Sequence, residues 1–261
     1  MKFQVLSDLH LEFKVEDLPK ISPEAEVLVY AGDVSSSEKD VKEYFEGVRK
    51  ETDAPIVYVL GNHEFYGKFL HQVSAYKDAT KGISDCHVLD KNSFSLNGVR
   101  FIGCTLWTDF DDRRGEAVAQ AGMADYKYIR KVSQYYGIER VSTEDIFREF
   151  CKCRSYLDQA FQNFKASSVK ACVVVTHHSP SFYCVPEKWK GYLLNGAFYV
   201  ELSNLILREN PNVWVYGHTH MHNRCEIGST DLVCNPVGYS QESDTQYQEE
   251  LLIEVGGPDD H

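Results

Sequence analysis

No stretch of this chain approaches the roughly 20 consecutive apolar residues that a membrane span requires, so a membrane partner is not expected. Cations are in short supply: 27 Lys and Arg stand against 39 Asp and Glu, a formal net charge of −12. Binding to a nucleic-acid polymer rests on clustered Lys and Arg that neutralise phosphates, so that class of partner is disfavoured. The deficit does not exclude a small phosphate substrate, because bound divalent cations would offset acidic charge locally. The chain opens with Met1-Lys2-Phe3-Gln4-Val5-Leu6-Ser7, which runs straight into a strand pattern and lacks the basic and apolar regions of a secretory signal. None of the eight cysteines falls in the paired C-x-x-C spacing of a zinc site, and reduced thiols in a cytoplasmic protein are the expectation. Internal repeats, low-complexity tracts and linkers are missing as well. At 261 residues and 43% hydrophobic composition, the chain can bury one sizeable core, and one domain over 1–261 is expected.

What is present begins with near-continuous apolar runs at 27–31, 56–60, 171–175 and 213–216. Such runs suit strands covered on both faces. Helix-like segments at 37–50, 66–80, 143–166 and 198–208 alternate with them, which predicts a largely parallel α/β layer. In the third segment Ile146, Phe150, Cys153, Leu157, Phe161 and Phe164 recur at helical spacing behind the cap candidates Ser142 and Thr143. Asn97-Gly98 supplies the positive φ angles of a tight hairpin turn, and a second hairpin is expected around Gly228, with a closing strand near 250–255. The reading is an α/β fold with two mixed β-sheets packed face to face and helices outside. Residues 105–142 fit neither sheet and read as an insertion over a site, while 256–261 read as a frayed tail.

Five short stretches carry the chemistry: Asp8-Leu-His10, Gly32-Asp33, Gly61-Asn62-His63-Glu64, His177-His178 and Gly217-His218-Thr219-His220. Each follows an apolar strand-like run. Loops at the carboxyl ends of parallel strands meet in one crevice, so residues far apart in sequence converge there. Asp, Asn and His supply the O and N donors that suit divalent metals. Asp8 and His10, two residues apart, can face one ion. The two oxygens of Asp33 can bridge two ions, and His218 and His220 can point one imidazole to each. Paired metals about 3.5–4 Å apart serve phosphoryl chemistry, with a bridging hydroxide attacking phosphorus in line.

Taken in order, these motifs resemble the calcineurin-like metallophosphoesterases, whose signature of D-x-H, G-D, G-N-H-[ED], a strand-end His and G-H-x-H is matched from Asp8 to His220. The resemblance implies a four-layer α/β/β/α sandwich. It also implies two divalent ions, with Mn, Fe and Zn the foremost choices. By that resemblance Asp8, His10, Asp33 and His220 hold the first ion, and Asp33, Asn62, His177 and His218 the second. His177 and His178 compete for one position; His177 is preferred because it directly follows the strand ending at Val175-Thr176. His178 then lies behind the ligands, faces substrate or is an exposed bystander. His63 is implied as a catalyst near the leaving group, its ring oriented by Glu64 or another carboxylate, and a histidine titrating near neutrality suits that task. Leu106-Trp107-Thr108-Asp109, Ala124-Asp125-Tyr126, Thr176-His177-His178-Ser179-Pro180-Ser181 and Cys234-Asn235-Pro236 are similar to a bacterial-type branch of phosphohydrolases in the same family.

Departures from the family narrow the substrate. The second motif continues Val34-Ser35-Ser36-Ser37 and not as the D-R-G of Ser/Thr protein phosphatases. Ser36 stands where purple acid phosphatases place a ligating Tyr. A small phosphomonoester or phosphodiester remains, with residues 182–195, Trp107 and Tyr126 as candidates for shaping its pocket. The rival from another class is an inactive scaffold or binding protein on the same fold, for which missing ligands would be the sign.

Overall fold

A computed structural model describes residues 1–13, 18–134 and 136–256. Apart from Gly256, the expected tail lies outside the described residues. Among the described residues, thirteen strands and six α-helices are arranged around two large mixed sheets.

The first sheet has β1 (Lys2–Leu6), β2 (Val27–Ala31), β3 (Ile56–Val59) and β4 (Cys86–Leu89) parallel, with β13 (Leu252–Glu254) antiparallel on the edge beside β1. The second runs in the order β11 (Asn223–Ile227), β12 (Thr230–Cys234), β10 (Val213–Tyr216), β9 (Ala171–Thr176), β6 (Val99–Cys104) and β5 (Asn92–Leu96). Its four inner strands are parallel, and each edge is an antiparallel hairpin, around Asn97-Gly98 and around Gly228 as the turn residues predict.

Alternate residues explain why these strands read as unbroken apolar runs. Phe3, Val5, Val29 and Val57 of one sheet meet Phe101, Val173, Val175 and Val215 of the other in a shared inner layer, with Phe3 and Phe101 packed edge to face at 5.9 Å. The residues between them point outward, where Tyr30 and Tyr58 pack on Phe45 of α1 (Glu38–Val48). On the opposite side α5 (Thr143–Lys165) buries Ile146, Phe150, Cys153, Leu157 and Phe161 in the core. Ser142 and Asp145 close a reciprocal capping box at its start. Helices outside two stacked sheets make the four-layer α/β/β/α sandwich.

Two helix expectations shrink. The segment 66–80 is helical only in α2 (Val73–Thr80). Before it, Gly67 takes φ +75°, and the chain bonds instead to the neighbouring segment, Gly67 N–H to Tyr128 O, Leu70 N–H to Arg130 O and Arg130 N–H to Lys68 O. The segment 198–208 starts late, as α6 (Ser203–Glu209), because Val200 and Leu202 donate to the carbonyls of Ser179 and Pro180. In both, pairing across the fold outweighs local helical spacing.

Residues 105–142 hold α3 (Glu116–Gly122), α4 (Asp125–Tyr128) and a small hairpin of β7 (Arg130–Ser133) and β8 (Gly137–Arg140) that forms its own two-stranded sheet. None of the eight cysteines is in a disulfide. Among the described residues no helix is long and apolar enough to cross a membrane.

Candidate metal centre

Five loops leave the carboxyl ends of β1, β2, β3, β9 and β10 at one end of the two sheets, and each carries one of the motifs. Asp8, His10, Asp33, His218 and His220 all adopt positive φ, between 47° and 68°. Non-glycine residues visit that region rarely, and its repeated use marks loops held under strain by their surroundings. Glycines permit the close approach: a Cβ on Gly61 would sit 2.1 Å from Asp33 Oδ1, and Gly32, at φ +86°, passes against His177. Buried Glu64 locks the loops after β2 and β3 together. It accepts the backbone N–H groups of Asp33, Val34 and Gly61 at 2.7–3.0 Å, and the Tyr58 hydroxyl at 2.6 Å. Burial and the neighbouring Asp33 charge raise its carboxyl to about 8.

Three groups of donors converge. Asp8, His10, Asp33 and His220 offer atoms within 4.8 Å of one another, as do Asp33, His177 and His218, and these two groups, which share Asp33, could each hold a metal ion; the third is His10, Glu12 and His63. Asn62 joins the second through its Oδ1, 2.9 Å from His177 Nε2. Asn62 Nδ2 donates to Asp125 Oδ1 at 2.8 Å, which turns the amide oxygen toward the centre. Tyr66 donates to the same carboxylate oxygen at 2.8 Å.

The hydrogen bonds leave bare lone pairs facing each other. His177 Nδ1 donates to the Ala31 carbonyl at 2.9 Å, and His220 Nδ1 to the Glu242 carboxylate at 2.7 Å. Their Nε2 atoms then lie 3.2 Å from His218 Nδ1 and 3.0 Å from His10 Nε2, respectively. Asp33 Oδ2 and His218 Nε2 are buried with no hydrogen-bond partner. Buried polar atoms are normally paired, and lone pairs crowded around an unpartnered carboxylate oxygen fit cations. The electrostatics agree. Burial alone would lower His177, yet the negative charge of nearby Asp33 pulls the other way and raises it. The site calls for positive charge.

His178 does not join either group. It is buried, not exposed, packed between Trp107 and His218 at ring distances of 5.4 and 4.4 Å. Burial and the adjacent His177 lower it to about 3. The carboxylate on His63 is Glu12, not Glu64: Glu12 Oε1 lies 2.8 Å from His63 Nδ1. Burial would lower His63, but Asp33 and Glu12 raise it to about 9. On its other side, Nε2 is 3.2 Å from the hydroxyl of Tyr239.

Glu12, Tyr239 and Glu242 are contacts that motif reading does not find. Glu12 extends the first motif by two residues, a spacing that was available as a signal. Ser36 N–H holds its Oε2 at 3.2 Å. Tyr239 and Glu242 come from a loop after β12 with no periodicity to mark it, and Asp125 stands in a segment noted only for its likeness to a branch of relatives.

Asp33, Asn62, His63, His218 and His220, with Glu12, Tyr239 and Glu242, line a cavity of about 850 Å³. Gly122, Met123, Ala124 and Tyr128 form part of its wall, as do Val185, Trp189 and Tyr192.

A family profile described as calcineurin-like phosphoesterase matches residues 1–222. The chain is similar to an uncharacterised protein of Acanthamoeba polyphaga mimivirus, at 25% identity and covering 91% of each chain. Among solved structures it is similar to a phosphopantetheinyl hydrolase from Mycobacterium tuberculosis, with a TM-score of 0.71, 16% identity, and coverage of 97% of this chain and 95% of that one. At that identity the likeness is one of fold.

Proposed function

The chain belongs to the calcineurin-like phosphoesterase family, and from that premise we propose that it hydrolyses a small phosphate monoester or diester using two divalent ions whose donors share Asp33. Asp8, His10, Asp33 and His220 would hold one ion, and Asp33, Asn62, His177 and His218 the other. One observation carries the reading. The buried, unpartnered Oδ2 of Asp33 lies 3.8 Å from His10 Nε2 and 3.4 Å from His177 Nε2, between the two groups. Mn, Fe and Zn all accept such O and N donors. When bound, paired ions polarise phosphoryl oxygens and bring the pKa of water close to neutral.

The chain's own residues handle the leaving group. Glu12 fixes the Nδ1–H of His63, so the proton available for transfer sits on Nε2. The Glu12 carboxylate at Nδ1 favours the protonated ring. As the ester oxygen departs with the electrons of the P–O bond, Nε2 gives it that proton, and Tyr239, within hydrogen-bond reach, steadies the ring and the oxygen. Asp125 keeps the Asn62 oxygen aimed inward. Residues 105–142 act as a cap, since they supply Asp125 and part of the cavity wall.

Turnover of p-nitrophenyl phosphate and bis-p-nitrophenyl phosphate, with the metal-free protein reconstituted in turn with Mn, Fe and Zn, tests the reading. Hydrolysis that rises with bound metal supports it. A metal-loaded chain that cleaves neither ester sinks it.

A further inference from the structure

From the cavity beside the centre we infer that the alcohol half of the substrate carries an uncharged aromatic group; the inference rests on the phosphoesterase reading and specifies what that site accepts. The cavity, about 850 Å³, is large enough for a drug-sized group and far larger than a phosphate needs.

Aromatic rings among the lining residues continue from the candidate site. Tyr66 packs against His63 at 4.2 Å and Tyr128 against Tyr66 at 5.4 Å. Phe198 stacks on His218 at 4.6 Å with an interplanar angle of 26°, and Trp189 and Tyr192, also in the lining, pair at 5.6 Å. Three of these rings stay open to solvent, with Tyr128 54%, Trp189 41% and Tyr192 51% exposed. Large rings gathered half-exposed in one concavity mark a binding surface, because a soluble protein otherwise buries or disperses them.

The charges of the described wall disfavour an ionic group. Lys188 is the single Lys or Arg among the described lining residues, and it is paired with Asp244 and lies over the Trp189 ring. Glu12 is paired with His63, and Glu242 with His220. Among the described lining residues a second phosphate or a carboxylate on the alcohol would find no unpaired Lys or Arg, and an ammonium no unpaired carboxylate apart from Asp33 of the candidate metal centre. Either would lose its hydration without a partner, whereas a flat neutral group would stack on the rings.

The test uses the metal-loaded full chain and phosphate esters of four phenols of similar acidity: phenol, 2-naphthol, 4-hydroxybenzoate and tyramine, each as monoester and methyl diester. The expected result is a kcat/KM for the naphthyl ester about tenfold above the phenyl ester, with the carboxylate and ammonium esters about tenfold below it. Trp189→Ala and Tyr192→Ala should cost the naphthyl ester more than the phenyl ester, chiefly in KM. Equal kcat/KM across the four, or a preference for either charged ester, overturns the inference while leaving the phosphoesterase reading standing. Absence of turnover in both series, with metal bound, overturns both.

Discussion

Glu12 and His63 are joined by a 2.8 Å contact between Oε1 and Nδ1, although 51 residues separate them in the chain. Glu12 follows His10 by two residues and His63 follows Asn62 by one, so the two loops that carry candidate ligands also carry a carboxylate and an imidazole that hold each other. The contact fixes which nitrogen of His63 bears the transferable proton.

Removing either partner should separate chemistry from metal binding. His63→Ala is expected to keep its metal and lose about 10²- to 10⁴-fold in kcat, the usual contribution of a general acid. Glu12→Gln should lose less, about tenfold or somewhat more, with metal content unchanged. Steady-state kinetics beside metal analysis checks both, and a fully active His63→Ala protein contradicts the assignment.

Tyr239→Phe keeps the ring, which packs 4.3 Å from His10 and 4.6 Å from His220, and removes only the hydroxyl beside His63 Nε2. A hydrogen bond to a charged group is worth about 1.5–3 kcal/mol. The expected result is a fall in kcat of about tenfold or more with metal content and KM little changed. An unchanged kcat would mean that the hydroxyl takes no part.

Asp125→Ala should act on one ion only. It removes the carboxylate that orients the Asn62 amide, and losing such an outer partner typically costs about 10–100-fold in metal affinity. Titration calorimetry on the metal-free protein should show one weakened site and one unaffected site. Equal weakening of both contradicts the placement of Asn62 in a single group.

Stability should depend on pH through Asp145. Its partial burial tends to raise the carboxyl, but hydrogen bonds from Lys131 and from Ser142 outweigh that and lower it below its ordinary value. A lowered carboxyl stabilises the fold above the unfolded pKa of about 4, and the contribution is lost as pH falls through the folded value. Asp145→Ala should therefore cost up to about 1 kcal/mol near pH 7, as losing a cap does. In denaturant unfolding the gap from the unsubstituted protein should narrow progressively as pH falls below about 4. A gap that stays constant with pH would remove the charge from the account.

The sandwich was legible because Val-rich strands with both faces covered read as unbroken apolar runs, and because Asn97-Gly98 marks a hairpin on its own. The segments 66–80 and 198–208 were over-read as helix because local spacing cannot show that Leu70 and Val200 bond elsewhere. The motif residues were easy to name, since each sits directly after a strand. Their neighbours were not. Tyr239 and Glu242 reach the centre from a loop that follows the last strand of the second sheet, and only the folded chain sets Glu12 against His63 and not Glu64. Glu64 shows the limit well: it is part of a motif, yet its carboxylate is spent on three backbone N–H groups.

Metal stoichiometry of the wild-type chain and of Asp33→Asn tests the central claim most directly. The account predicts two divalent ions per wild-type chain and loss of both on the single substitution, because both groups of donors share that carboxylate. One ion or none in the wild-type chain, or an Asp33→Asn protein that still binds two, would contradict it.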